Sequence, residues 1–229
     1  MPIHLPHLFS VYQENMADWL PEMVSASLGT LKLTVVAFFF AVLVGIVVGL
    51  LRISPNRLLR RLAIVFIEVI RGTPALVILY IVYFVPPQVG LAVLTVSSFV
   101  AAVIGLALHG GAILAEVFRA GIEALHHGQR EAALSLGMTP AMSMRVILIP
   151  QAMRVILPPV GNYAIGLLKD TAVCALIAAP ELMLRAKDLA SSSFEPMAVF
   201  LLAAVFYFIM SYPLSLLVRM MEIRLNPAH

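Results

Sequence analysis

The sequence predicts an all-α integral membrane protein, a single domain of five transmembrane helices over residues 1–229. Three observations carry that reading. Hydrophobic residues make up 62% of the chain and mean hydropathy is +1.01, whereas soluble domains are roughly 45–50% apolar. Five apolar runs each approach or exceed the ~20 residues a helix needs to cross the hydrocarbon core. Lys and Arg are dense in alternate connections, as their bias toward the cytoplasmic side requires.

The N-terminal stretch MPIHLPHLFSVYQEN has no Lys or Arg and no long apolar core, so it reads as retained rather than as a cleaved signal. The first span, 24–51, is interrupted only by Lys32 and small residues. The connection RISPNRLLRR then packs Arg52, Arg57, Arg60 and Arg61 into ten positions. The second span, 62–85, contains Glu68, Arg71 and the breakers Gly72 and Pro74, and the uncharged turn PPQVG follows it. The third span is 91–117, and a polar stretch occupies 119–145. Pro150, Pro158 and Pro159 fall within the fourth span, 147–168; the prolines and Gly161 predict an irregular helix. Residues 169–196 are mixed, and the fifth span, 197–218, leads to a short basic tail.

The four arginines after the first span place that loop in the cytoplasm and the N-terminus outside. Arg119, Arg130 and Arg145 return the polar stretch to the cytoplasm, and Arg219 and Arg224 place the C-terminus there. The 169–196 connection is external, with three basic residues against four acidic ones.

A net charge of +3 dispersed in short loops is no nucleic-acid signature. The single cysteine, Cys174, excludes an intrachain disulfide and reads as a packing residue. The chain has no GxxxxGK[ST], HExxH, CxxC or nucleophile elbow. It therefore reads as a non-enzyme without a cofactor of its own, and any energy from ATP must enter through another chain.

Ionisable groups at membrane depth are expensive and usually face a partner or a watery cavity. Glu68 and Arg71, one helical turn apart, read either as part of a solute path or as an ion pair anchoring the break at 72–74. His109 and Glu116 lie seven residues apart on nearly one face, with Ala112 and Ile113 between. That stripe suits a zwitterion; the alternative is a satisfied His and a Glu paired with Arg119. Asn162 reads as a mid-depth ligand of a broken helix or as a neighbour of a packing kink. Lys169 and Asp170, followed by Thr171, close the fourth span as path residues or as an end-of-helix charge pair.

The segment EAALSLGMTPAMSMRVILIP, 131–150, sets charge and helix breakers inside this apolar chain. Two short helical pieces with a break at 137–140 fit it. Small Ala132 and Ala133 permit close approach of a partner, and Glu131 suits a basic or N–H donor. Leu134 and Met138, at helical spacing, suit an apolar notch. The alternative is an interfacial amphipathic helix with no partner.

The chain resembles the permease family of bacterial ATP-binding-cassette importers, in the branch serving polar amino acids such as His, Arg, Lys, Gln, Glu and cystine. The family signature stands as Glu131, Ala132, Ala133, Gly137, Ile147, Ile149 and Pro150, with Ile149 where Leu is usual. AEVFRAGI (115–122), HGQREAA (127–133), IPQA (149–152), LPP (157–159), KDT (169–171) and RGTP (71–74) also match the branch. Ile113 and Ala172 depart from its usual Tyr and Ser. The resemblance implies a type I importer permease that moves a polar amino acid across the bacterial inner membrane by alternating access. It implies a coupling helix made of Glu131, Ala132, Ala133, Leu134 and Gly137. Its partners would be a cytoplasmic ATPase dimer holding ATP and Mg, an identical or homologous permease subunit, and a periplasmic or extracellular amino-acid-binding protein. Membrane lipid surrounds it, and no nucleic acid is involved. The competing class is an ion-coupled secondary transporter or channel without an ATPase, which usually comes as a longer chain of two related halves.

Overall fold

The computed structural model describes residues 5–90, 95–124 and 127–225, and the described residues contain helices and no strand. In chain order the elements are α1 (Leu5–Arg52), α2 (Arg57–Gly72), α3 (Ala75–Gln88), α4 (Ser98–Glu123), α5 (His127–Ser135) and α6 (Pro140–Ser143). A π-helical turn (Met144–Leu148), α7 (Ile149–Asp170), a 3₁₀ turn (Thr171–Ile177), α8 (Leu182–Ser193) and α9 (Pro196–Leu225) complete them.

The first span is the C-terminal half of a much longer element. α1 runs for 48 residues, about 72 Å at 1.5 Å per residue. Its polar N-terminal half is helical because Val11, Trp19 and Met23 recur on one face and are buried against Leu182, Ala186, Ala198 and Val199 of α8 and α9. The Tyr12 hydroxyl donates to the Ala198 carbonyl at 2.9 Å, and Lys32 lies 5.3 Å from the centre of the Phe99 ring.

The second span is bent rather than straight. α2 and α3 have 16 and 14 residues and meet at 102°. Each is roughly 21–24 Å long, short of the ~30 Å hydrocarbon core. Asn56 Oδ1 opens α2 by accepting from the Leu58 N–H at 2.9 Å. Thr73 ends it in extended backbone (φ −105°, ψ 131°), the conformation that a following proline imposes.

The direction of the remaining crossings follows from packing. An added Cβ at Gly45 would stand 2.7 Å from the Leu114 Cβ, and one at Gly49 would stand 3.0 Å from the Ala115 carbonyl oxygen. Gly111 meets Val44 in the same register. Position numbers rise together, so α1 and α4 are parallel and the α2–α3 pair carries the chain back between them. Gly110 meets Tyr163 and Gly121 meets Ile156, so α7 is antiparallel to α4. Gly161 and Asn162, midway along α7, meet Val218 and Glu222 late in α9, whereas Glu181, past the C-terminal end of α7, holds Tyr207 earlier in α9, so α9 runs antiparallel to α7. Counting the bent pair as one gives five crossings among the described residues, an odd number, so the start of α1 and the end of α9 lie at opposite ends of the bundle. The α1–α4 seam is made of small residues, which let helices approach closely where lipid supplies no hydrophobic drive. Replacing Gly111 with leucine is expected to split this seam and abolish the folded peak in detergent size-exclusion; an unchanged peak would contradict the packing.

The other three spans are shifted or extended relative to the sequence reading. α4 begins at Ser98, capped by Ser97, whose hydroxyl accepts from the Val100 N–H at 3.4 Å, and it runs to Glu123; positions 91–94 lie outside the described residues. Pro158 and Pro159 do not break the fourth span, because α7 is continuous through both. Its irregular turns lie beyond, the π turn before α7 and the 3₁₀ turn after it. α9 has 30 residues and also extends past its expected ends.

Candidate functional site

Two constellations stand out, a helical turn at one end of the bundle and polar groups between α4 and α7. The turn begins with α5, which ends as Gly137 adopts φ +80°. The Gly137 N–H donates to the Leu134 carbonyl at 3.0 Å and the Met138 N–H to the Ala133 carbonyl at 3.1 Å. This double closure is a Schellman motif, which a glycine completes without a Cβ penalty. Thr139 then caps α6, its hydroxyl accepting from the Met142 N–H at 3.2 Å, with Pro140 at the first helical position. The α6 helix continues through the π turn into α7 with no intervening loop.

Sequence reading needs two corrections here. Leu134 and Met138 do not share a helix face, because α5 stops at Ser135. Ala133 is buried within the chain, so only Ala132 of the alanine pair faces outward. The apolar group that sequence reading missed is Leu136, which is 80% exposed beside Leu134 at 40%. Glu131 is exposed as well, and among the described residues its carboxylate forms no salt bridge.

In the spans, the structure separates the two members of the His109–Glu116 stripe. Glu116 is held by Arg119 at 2.7 Å and by Arg52 of α1 at 3.6 Å, and Arg119 also binds Glu123. That is the paired alternative. His109 is half-buried, and its Nδ1 is shut from solvent with no hydrogen-bond partner among the described residues. Tyr163 of α7 packs its hydroxyl on Gly110, the neighbour of His109, and Asp170 stands exposed two turns further along α7. Tyr163 carried no sequence signal, being one aromatic among many.

Glu68 and Arg71 are exposed and make no ion pair with each other, so no such pair anchors the bend. Arg71 instead lines a groove of about 400 Å³ with Glu116, Arg119, Val155 and Pro159. Asn162 donates its Nδ2 to Glu222 of α9. Lys169 is exposed, and Thr171 is buried with its hydroxyl donating to the Leu168 carbonyl at 2.7 Å.

A buried acid also went unnoticed in the sequence. Glu181 is 2% exposed; its Oε2 accepts from the Tyr207 hydroxyl at 2.7 Å and the Met183 N–H at 2.8 Å, and its Oε1 from the Leu184 N–H at 2.6 Å. The next residue's N–H donates to Thr30 of α1 at 2.9 Å. α1, α8 and α9 are thereby tied at one point. Among the described residues, no three His, Cys, Asp or Glu side chains are placed to hold a metal ion.

Comparison with known proteins accords with this arrangement. The family described as "binding-protein-dependent transport system inner membrane component" matches residues 41–227. The glutamine transport system permease protein GlnP of Escherichia coli (strain K12) is 32% identical over 215 residues, covering 91% of this chain and 98% of that protein. The L-cystine transport system permease protein TcyB of Bacillus subtilis (strain 168) is 35% identical over 86% of this chain and 83% of its own length. Among solved structures, a chain from an amino acid ABC transporter crystallised with histidines is 37% identical with a TM-score of 0.85, covering 98% of this chain and all of that one. The MetNI methionine ABC transporter, 20% identical with a TM-score of 0.67, shares the fold. The chain is thus a multi-pass membrane permease and belongs to the family of inner membrane components of binding-protein-dependent transport systems.

Proposed function

We propose that this permease moves a polar amino acid inward by alternating access, driven by an ATPase dimer that holds ATP and Mg and docks on the α5–α6 turn. One observation carries the reading. Exposed Glu131, Ala132, Leu134 and Leu136 stand on a turn closed by Gly137 and continuous with α7. A push on that turn therefore reaches the helix bearing Tyr163 and Asp170. Relatives and a structural neighbour named for glutamine, cystine and amino acids support the substrate class.

A second copy of this chain, or a close relative, completes the path, and a binding protein delivers the solute from outside. His109, Tyr163 and Asp170 form its polar core, with Lys169 at the external mouth and Glu68 and Arg71 along the cytoplasmic approach. The half-buried His109 imidazole meets the carboxylate pole of a zwitterion and the Asp170 carboxylate meets its ammonium. Glu116, held by two arginines, and Asn162, turned toward Glu222, support the bundle rather than the solute.

His109→Ala is expected to cut amino-acid uptake about tenfold, the equivalent of one lost hydrogen bond of ~1.4 kcal/mol, while the complex stays assembled. Uptake of a panel of labelled amino acids, with Asn162→Ala as the comparison, measures it. Equal losses in both variants would remove the assignment of His109.

The positive-inside pattern puts the N-terminus outside and the C-terminus in the cytoplasm of a bacterial inner membrane. In a Cys174→Ala background, cysteine at position 192 is expected to react with an external impermeant thiol reagent and cysteine at 129 to resist it. The reverse pattern would overturn the orientation.

A further inference from the structure

Beside the α5–α6 turn, a groove of about 560 Å³ opens between α5 and the start of α7. Small-molecule sites commonly occupy ~300–1,000 Å³. Val146, Ile147 and Pro150 give it an apolar wall, and three polar side chains line it from two elements: Gln129 from α5, and Gln151 and Arg154 from α7. The Gln129 side-chain oxygen is cut off from solvent, yet it accepts no hydrogen bond among the described residues. Buried acceptors are nearly always paired, so an orphan beside a groove calls for a donor from outside the chain, which a turn of the Gln129 side chain into the groove would meet. Arg154 is exposed and forms no salt bridge among the described residues. Its planar fork matches a carboxylate. The wall includes part of the π turn, a rare element that concentrates at functional sites.

We infer that this groove is a second site for a free amino acid, with the carboxylate on Arg154 and the ammonium on Gln129, and that its occupancy slows the transport cycle. The inference rests on the amino-acid reading above and adds feedback by the product. Val155 lines both this groove and the one that holds Arg71, so the two grooves are neighbours. Gln129 and Arg154 belong to different helices. A molecule bridging them binds only while α5 lies this close to α7, so it stabilises that arrangement against the movement that coupling requires.

The complete complex of permease, ATPase and binding protein in nanodiscs, with both faces open, tests the site. ATP hydrolysis is followed as L-glutamine, L-arginine or L-cystine is titrated, without binding protein so that external delivery is silent. At least one amino acid is expected to lower hydrolysis by about twofold or more, because it favours one of two arrangements. The alcohol made by reducing its carboxylate is expected to have no effect, and inorganic phosphate likewise, having no ammonium for Gln129. Arg154→Met and Gln129→Leu are each expected to raise the half-inhibiting concentration about tenfold, as loss of a charge-assisted or buried hydrogen bond does. Inhibition that persists undiminished in both variants, equal inhibition by phosphate, or no inhibition by any of the three would overturn the inference. Labelled uptake by proteoliposomes of the same preparation separates the two readings. Uptake without feedback removes this site alone, whereas absence of amino-acid uptake removes the substrate class.

Discussion

Glu181→Ala is expected to destabilise the folded permease by about 3 kcal/mol, because it leaves two N–H groups and a phenol without their shared acceptor. Those donors belong to Met183, Leu184 and Tyr207, and the carboxylate they share is 2% exposed. Glu181→Gln retains the shape and one acceptor and should lose less, while Tyr207→Phe removes one bond at a cost of ~1 kcal/mol. Thermal loss of the monodisperse peak in detergent orders the variants. An alanine variant as stable as the parent would mean that this junction does not hold α1, α8 and α9 together.

The second large effect concerns transmission. Glu131→Ala and Leu136→Asp are expected to leave the protein in the membrane at normal amounts, since both side chains are exposed and outside the core. Stimulated ATP hydrolysis in the reconstituted complex is expected to fall about a hundredfold with Leu136→Asp, which puts a charge where an apolar contact is required, in the range of interface hot spots. Glu131→Ala is expected to abolish the stimulation by substrate-loaded binding protein while basal hydrolysis persists. Full stimulation in both variants would take the coupling role away from this turn.

Much of the fold was legible because a membrane imposes long apolar runs, and the runs around 24–51 and 197–218 needed no tertiary information. The polar N-terminal half of α1 was not legible, since Glu14, Asn15, Asp18 and Glu22 mask a stripe whose partners lie about 180 residues away in α8 and α9. Gly72 and Pro74 announced a break, but no local rule sets its 102° angle. Pro158 and Pro159 announced one that α7 does not make. At the candidate site, Gly137 and Pro140 revealed the turn, whereas burial of Ala133 and exposure of Leu136 depend on how α5 folds against α6 and the π turn. His109 and Glu116 share a face by spacing alone; Arg119, three residues on, made the pairing of Glu116 legible, whereas the second arginine from α1 and the unpartnered Nδ1 of His109 depend on tertiary packing. Glu181 and Tyr207 sit 26 residues apart on different helices, a pairing no periodicity reveals.

The central claim is that ATP hydrolysis in a partner drives an amino acid through this chain. Its most direct test is uptake of labelled amino acids into proteoliposomes carrying the permease and its ATPase, with binding protein outside and ATP trapped inside. The account predicts accumulation that requires both ATP and binding protein, is unaffected by collapsing ion gradients, and disappears with Leu136→Asp. Uptake by the permease alone, powered by a proton or sodium gradient and indifferent to ATP, would contradict it and establish an ion-coupled carrier.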